Sequence, residues 1–271
     1  VLRGCMRTKK VGHGGTLDPM ATGVLPIFIG GATKAADIVP DTDKSYRAGF
    51  MLGVTSDTLD IWGRVEPKST ERPTPEQVRG VFSRFIGETQ QIPPMYSALK
   101  VNGQKLCDLA RRGIEVERKP RPITITRLEL VDFDGCCGVL EMDCSSGTYV
   151  RSLIDDVGRA LGTGAVMTSL VRTKSCGFTL AECTPLARLR ELPYEELCAL
   201  VKPVDAAFAP YPAVTLDAPQ ERLYMNGVRL DLDRVQSAPK SGMCRIYTQQ
   251  GFVGVAMAEN GELIPVKRLC G

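Results

Sequence analysis

The residues most able to do chemistry lie early, in the run Gly12-His13-Gly14-Gly15-Thr16-Leu17-Asp18-Pro19-Met20-Ala21-Thr22-Gly23-Val24-Leu25-Pro26. One carboxylate, Asp18, stands between three upstream glycines and a proline, and the chain's single histidine, His13, lies five residues before it. Glycine permits backbone angles and close approaches that a Cβ forbids, and Pro19 biases Asp18 toward an extended conformation. The segment reads as a loop presenting one acid in a fixed pose, with room for a bulky ligand against its backbone. The plainer reading is an acid that caps its own turn, a common place for aspartate. A phosphate cradle is excluded because the Gly-Lys-Ser/Thr ending is absent. The dinucleotide pattern G-x-G-x-x-G fails because Leu17 fills its last glycine position.

Taken whole, His13 to Pro26 resembles, nearly residue for residue, the catalytic motif of the TruB family of RNA pseudouridine synthases. Asp43-Lys44-Ser45-Tyr46-Arg47 resembles the family's second signature, which sets an aromatic ring, here Tyr46, against the target base. Without that context Tyr46 reads as a core aromatic of a strand. A stacked ring stabilises an extruded base by about 1–3 kcal/mol. Cys144-Ser145-Ser146-Gly147-Thr148-Tyr149-Val150-Arg151-Ser152-Leu153-Ile154 resembles the third signature, where a tyrosine and an arginine, here Tyr149 and Arg151, stand beside the aspartate. A guanidinium within about 4–6 Å of a carboxylate favours its ionised form, the form a nucleophile requires. Alone, Arg151 would read as a helix-surface arginine. Lys34, Leu170 and Asp60 align with further pocket positions. Pro93-Pro94-Met95-Tyr96-Ser97-Ala98-Leu99-Lys100, with the residues up to Pro122, resembles the family's substrate-gripping insertion, about 95–122. In relatives that segment is mobile and closes over the RNA stem-loop.

The resemblance implies isomerisation of uridine to pseudouridine at position 55 in the T-arm of tRNA, with Asp18 as the nucleophile, at C1' or C6, on a flipped-out base. Extruding that base costs a few kcal/mol, and His13 is expected to enter the vacated space. Substrate contacts are expected from His13, Tyr46, Tyr149, Arg151, Lys34, Leu170 and Asp60. RNA-backbone contacts are expected from Arg111, Arg112, Arg118 and Lys119. Neither metal nor cofactor is needed, since nothing is oxidised and no group leaves. The expected protein is a cytoplasmic monomer whose partner is the tRNA T-arm stem-loop, with no membrane. Family members normally begin with a strand and an Asp-Lys-Pro-x-Gly-x-Thr-Ser motif. That motif is absent here, so about one strand and turn of the family pattern are missing.

Two rivals of other classes remain open. A glycoside hydrolase needs a second carboxylate; Asp57 and Asp60 are available, but no paired-acid motif frames them. A non-catalytic RNA-binding or tRNA-folding module would rely on the basic clusters and the last β-rich segment alone.

The elements that must hold these residues are legible from periodicity. Alternation of Tyr46, Ala48, Phe50 and Leu52 predicts a half-buried strand over 45–54, before a polar connection at 53–63. Thr74 and Gln77 form a capping box and Pro75 takes the first helical position. Val78, Val81, Phe82 and Phe85 make the apolar face of a helix ending at Gly87. Strands at 123–131 and 139–144 pair across Asp134-Gly135. A helix over 149–161 aligns Val150, Leu153, Ile154, Val157 and Leu161 and closes at Gly162. Residues 165–173 form a further strand. Shorter features are a basic helix end at 1–10, a buried strand at 24–29, a short helix at 33–39, a turn at Asn102-Gly103 and a short helix at 105–112. From Tyr211 the pattern turns mostly β, with Asn226-Gly227 and Asn260-Gly261 as hairpin signals. The fold class expected is α+β: a pseudouridine synthase fold, a mixed, mainly antiparallel sheet flanked by helices, with a small C-terminal PUA-like β-domain. The domains expected are 1–208, catalytic, and 209–271, RNA-binding.

Composition is consistent with one substantial core or a larger and a smaller domain: 271 residues, 43% apolar, 24% charged. No apolar run approaches the roughly 18 residues of a membrane span, and no signal-peptide pattern opens the chain. The net charge of +3 decides nothing, but its distribution is uneven. Arg3, Arg7, Lys9 and Lys10 precede the glycine-rich loop, and Arg111, Arg112, Arg118, Lys119 and Arg121 cluster mid-chain. Each cluster alone reads as a solvated face; both beside an RNA-type motif favour phosphate contacts. The ten cysteines contain no C-x-x-C pair and one histidine cannot complete a zinc site, so free thiols in a reducing compartment are expected.

Overall fold

Thr74 starts its helix as its sequence requires: the Gln77 amide donates to Thr74 Oγ1 at 3.3 Å and the Thr74 amide donates to Gln77 Oε1 at 2.8 Å. The helix, α1 (Pro75–Phe82), buries Val78, Val81 and Phe82. Its expected last turn tightens into a 3-10 turn, Ser83–Phe85, and the chain is extended again at Ile86. The other amphipathic pattern becomes α2 (Val150–Ala160), with Tyr149 at its N-cap and Gly162, at φ 76°, just past its end. The structure, a computed structural model, describes residues 1–269; Cys270 lies outside the described residues.

Both helices cover a seven-stranded sheet built from β1 (Thr22–Gly23), β2 (Lys44–Leu52), β3 (Gly87–Gln91), β4 (Arg121–Phe133), β5 (Cys137–Cys144), β6 (Ala165–Ser175) and β7 (Phe178–Thr179). The order is β7-β6-β2-β5-β4-β3, antiparallel throughout, with β1 added parallel on β6. The alternating residues of β2, Tyr46, Ala48, Phe50 and Leu52, are all buried and share one core with Val78 and Phe82 of α1 and Leu153 and Ile154 of α2. Phe50 meets Phe82 edge-on at 6.3 Å between ring centroids. Each such large side chain contributes about 1.5–3 kcal/mol on burial. β6 sets Leu170 opposite Ala48 and Arg172 opposite Tyr46. The 53–63 connection opens with a short hairpin, Val54–Ser56 against Val65–Pro67.

The residues so far, Leu17–Val24 and Thr42–Ala181, form one compact unit. The other comprises Val1–Thr16, Leu25–Asp41 and the chain from Glu182 onward. In it Val11–His13 pairs with Ile27–Ile29, so the expected 24–29 strand is shorter and begins later. The expected 33–39 helix is instead a 3-10 helix, Gly30–Ala35. The basic N-terminal helix is short, Leu2–Cys5, and the backbone leaves helical space at Arg7 (φ 50°).

The C-terminal part of this unit holds β8 (Ala213–Thr215), β9 (Leu230–Asp231), β10 (Gly242–Thr248), β11 (Gly251–Glu259) and β12 (Glu262–Arg268), in the order β8-β10-β11-β12-β9. Asn260-Gly261 makes the expected hairpin between β11 and β12. Asn226-Gly227 does not make one. It terminates a helix, α3 (Ala218–Met225), because a glycine at φ 78° serves a helix C-terminus as well as a hairpin. The signal for that helix is a second capping box, Asp217 with Gln220, around Pro219. Tyr224 of α3 is fully buried, its hydroxyl donating to the Val255 carbonyl at 3.1 Å.

Candidate active site

Asp18 is carried by a segment fixed to β6 from beneath. The Val24 amide donates to the Arg172 carbonyl at 2.8 Å, and Arg172 Nε donates back to the Val24 carbonyl at 2.8 Å. Gly23, at φ 106°, makes this approach possible: a Cβ there would fall 2.2 Å from the Arg172 carbonyl oxygen. Upstream, the Ala21 amide closes a turn on the Asp18 carbonyl at 2.9 Å, with Pro19 in the position that favours such turns. The Asp18 side chain is left directed away from its own turn, with about a third of its surface (32%) open to solvent.

Its partner is Arg151, in the first turn of α2. Arg151 Nε donates to Asp18 Oδ2 at 2.8 Å and Nη2 to Asp18 Oδ1 at 3.0 Å, a bidentate pair. The Arg151 side chain is 5% exposed, so burial of its charge must be offset on every side. Nη2 also donates to the Tyr96 carbonyl at 2.9 Å, Nη1 donates to the Thr58 carbonyl at 3.0 Å, and Asp60 Oδ2 lies 3.9 Å from Nη1. The start of α2 is itself clamped by Gln91, which accepts from the Tyr149 amide at 2.7 Å and donates to the Tyr149 carbonyl at 3.1 Å.

Tyr46 stands on β2, near enough to Asp18 for that charge to bear on its phenol. Its phenol is buried, within hydrogen-bonding reach of Arg172, and burial followed by the neighbouring Cys144 pushes its pKa up to about 12. It is therefore a neutral ring with a hydroxyl throughout the ordinary pH range. Tyr149 is half-buried; burial raises its pKa too, partly opposed by Ser97 and by Arg121 and Arg151. Lys44, two residues before Tyr46, has its ammonium pKa lowered by burial and then by Arg172.

Asp18, Tyr46, Asp60, Tyr149, Arg151 and Leu170 all fall within one compact unit, and Leu170 is part of its core. His13 and Lys34 belong to the other unit, where both are exposed, on the Val11–His13 strand and the Gly30–Ala35 helix. In the 95–122 segment, Arg111, Arg112 and Lys119 are exposed. Arg118 is committed within it, to the Pro93 carbonyl at 3.3 Å and Glu115 at 3.2 Å. Asp57 and Asp60 act as loop braces, accepting from the Arg64 and Trp62 amides respectively. Two contributors went unseen in the sequence: Arg172, 1% exposed inside an apolar strand, and Gln91, 3% exposed in a proline-rich stretch. Nothing in their local pattern distinguishes them; only the groups they answer, which are remote in sequence, do.

Known proteins resemble this chain over most of its length. The sequence model of the TruB family pseudouridylate synthase N-terminal domain matches residues 3–150. Those of the tRNA pseudouridylate synthase B C-terminal domain and of the pseudouridine synthase II TruB C-terminal region match 151–209 and 212–270. The curated tRNA pseudouridine synthase B of Aromatoleum aromaticum (strain DSM 19018 / LMG 30748 / EbN1) is 43% identical over 270 residues, covering 98% of this chain and 85% of that protein. Its counterpart in Clostridium tetani (strain Massachusetts / E88) is 40% identical over 257 residues, covering 94% and 88%. Among solved structures, a chain of a Cbf5-Nop10-Gar1 complex superposes with a TM-score of 0.71 at 23% identity, covering 98% of this chain and 78% of that one. A chain of an H/ACA RNP bound to a substrate RNA containing 2'-deoxyuridine gives 0.69 at 20% identity, covering 99% and 78%. These last two show the fold.

The family models and the curated relatives, on this fold, place the chain in the class of pseudouridine synthases. Within that class, the chain belongs to the TruB family.

Proposed function

We propose that the enzyme isomerises uridine to pseudouridine at position 55 in the T-arm of tRNA, with Asp18 as nucleophile on an extruded base. The observation that carries this reading is the Asp18–Arg151 pair: a carboxylate kept in register by a buried guanidinium while a third of it stays open to a ligand. The C1'–N1 bond breaks, the uracil turns, C1' rejoins at C5, and the C5 proton is lost to solvent as N1 gains one. Attack at C1' and attack at C6 both satisfy that balance. Tyr46 packs against the base and offers its hydroxyl, Tyr149 holds the base or assists removal of the C5 proton, and Asp60 and Leu170 complete the pocket. His13 fills the space left by the extruded base, and Lys34 contacts the substrate. Arg111, Arg112 and Lys119 serve the RNA backbone directly and Arg118 by holding the segment that carries them, and residues 209–271 form a PUA-like RNA-binding domain after a catalytic domain at 1–208. The names of the curated relatives support tRNA as substrate.

The test is tritium release from a T-arm stem-loop labelled at C5 of its uridines. The parent enzyme is expected to release tritium from one uridine. Asp18→Asn is expected to lose at least about 10³-fold in rate while binding the RNA within a few-fold. Binding without release by the parent would point instead to a non-catalytic RNA-binding module, and residual isomerisation by the variant near the parental rate would remove Asp18 from its role.

A further inference from the structure

The loop between the Val54–Ser56 and Val65–Pro67 strands carries the chain's single tryptophan, Trp62, with 60% of its surface exposed. That exposure is held by the loop's construction. Thr58 Oγ1 donates to Asp60 Oδ1 at 2.6 Å, the Trp62 amide donates to the same oxygen at 3.1 Å, and the Arg64 amide donates to Asp57 Oδ1 at 2.8 Å. At Gly63 the chain folds back so closely that a Cβ would fall 2.2–2.4 Å from the side chains of Thr58, Asp57 and Ser56. The loop is also tied to the acid's partner, because the Thr58 carbonyl accepts from Arg151 Nη1 and Asp60 Oδ2 lies 3.9 Å from the same nitrogen. A large indole is thus kept in water, on a braced loop whose Thr58 carbonyl lies two hydrogen-bonded steps from Asp18.

We infer that Trp62 is a stacking platform for an unpaired base of the substrate RNA adjoining the uridine that Asp18 attacks. Every base has a π-face, so an exposed ring beside the reacting nucleotide binds its neighbour without needing a sequence code. A dry protein interface fits less well, because exposed Asp57, Arg64 and Glu66 interrupt the small apolar area of Trp62, Ile61 and Val65. The inference rests on the reading of the substrate as a folded RNA.

Being the only indole, Trp62 reports on itself. Titration of the full chain with a T-arm stem-loop is expected to change its emission saturably and to protect it from acrylamide. Trp62→Ala is expected to raise KM for that RNA about five-fold or more, with kcat within about two-fold, and Trp62→Phe to recover most of the loss. Unchanged acrylamide access at saturating RNA, or parental KM in Trp62→Ala, would overturn the assignment. Emission that responds to protein concentration and not to RNA would overturn it in favour of a protein contact. If the parent neither binds nor converts the stem-loop, the functional reading itself fails, and this inference with it.

Discussion

Arg151 and Asp18, 133 residues apart in the chain, meet through two parallel N–H···O bonds of 2.8 and 3.0 Å. Because the guanidinium also serves two carbonyls, its planar fork does more than supply a charge. An ammonium in its place reaches one partner at a time. Arg151→Lys is expected to keep the fold and lose about 10²-fold in single-turnover tritium release. Arg151→Ala is expected to lose turnover as well, and about 2–4 kcal/mol of stability by denaturant unfolding, since two carbonyls and part of a carboxylate are left without their donor.

Gly23→Ala is expected to be more damaging than its size suggests. The new methyl would meet the Arg172 carbonyl oxygen at 2.2 Å in a backbone conformation that disfavours any Cβ. A loss of at least about 2 kcal/mol in stability follows, with a fall in kcat as the Asp18 segment shifts. Normal melting and normal turnover in this variant would show that the segment accommodates the methyl without cost.

Alkaline stability should report Tyr46. Its pKa in the folded protein is pushed up to about 12, against about 10 in an unfolded chain. The unfolded state therefore loses its proton first. The stability contributed by the neutral phenol is complete below about pH 10 and is lost as pH rises toward about 12, by roughly 2–3 kcal/mol in all. Tyr46→Phe is expected to flatten that part of the Tm–pH curve relative to the parent. Parallel curves for the two proteins would show that the phenol titrates alike in both states.

The basic segment separates into two kinds of residue. Arg111, Arg112 and Lys119 are exposed, and replacing all three by alanine is expected to weaken stem-loop binding and reduce the slope of log K against log salt by about 2–3. Arg118, bonded to Pro93 and Glu115, is expected to act on the conformation of the segment, so Arg118→Ala should lower its resistance to proteolysis more than it changes the salt slope. Equal salt slopes in parent and triple variant would remove the cluster from the RNA interface.

Much of the fold was readable because its elements carry local signals. Thr74 with Gln77, the Val150–Val157 stripe and the β2 alternation each name an element and the face it buries. The failure at Asn226-Gly227 has the same local origin, since one dipeptide suits two structures and the decision lies upstream at Asp217. In the site, Asp18, Tyr46 and Arg151 stand in long recognisable strings. Arg172 and Gln91 do not: a buried polar side chain is explained by the groups that answer it, and those are set by register between strands and loops far apart in sequence.

One nitrogen of Arg151, Nη2, is divided between the Asp18 carboxylate and the carbonyl of Tyr96 at the root of the 95–122 segment. Pulling on that root tugs the same atom that steadies the acid. If, as proposed, the 95–122 segment grips the substrate and Asp18 attacks it, the two acts are joined at a single hinge pin, and a poorly fitting RNA would be felt at the reacting centre before any bond is broken.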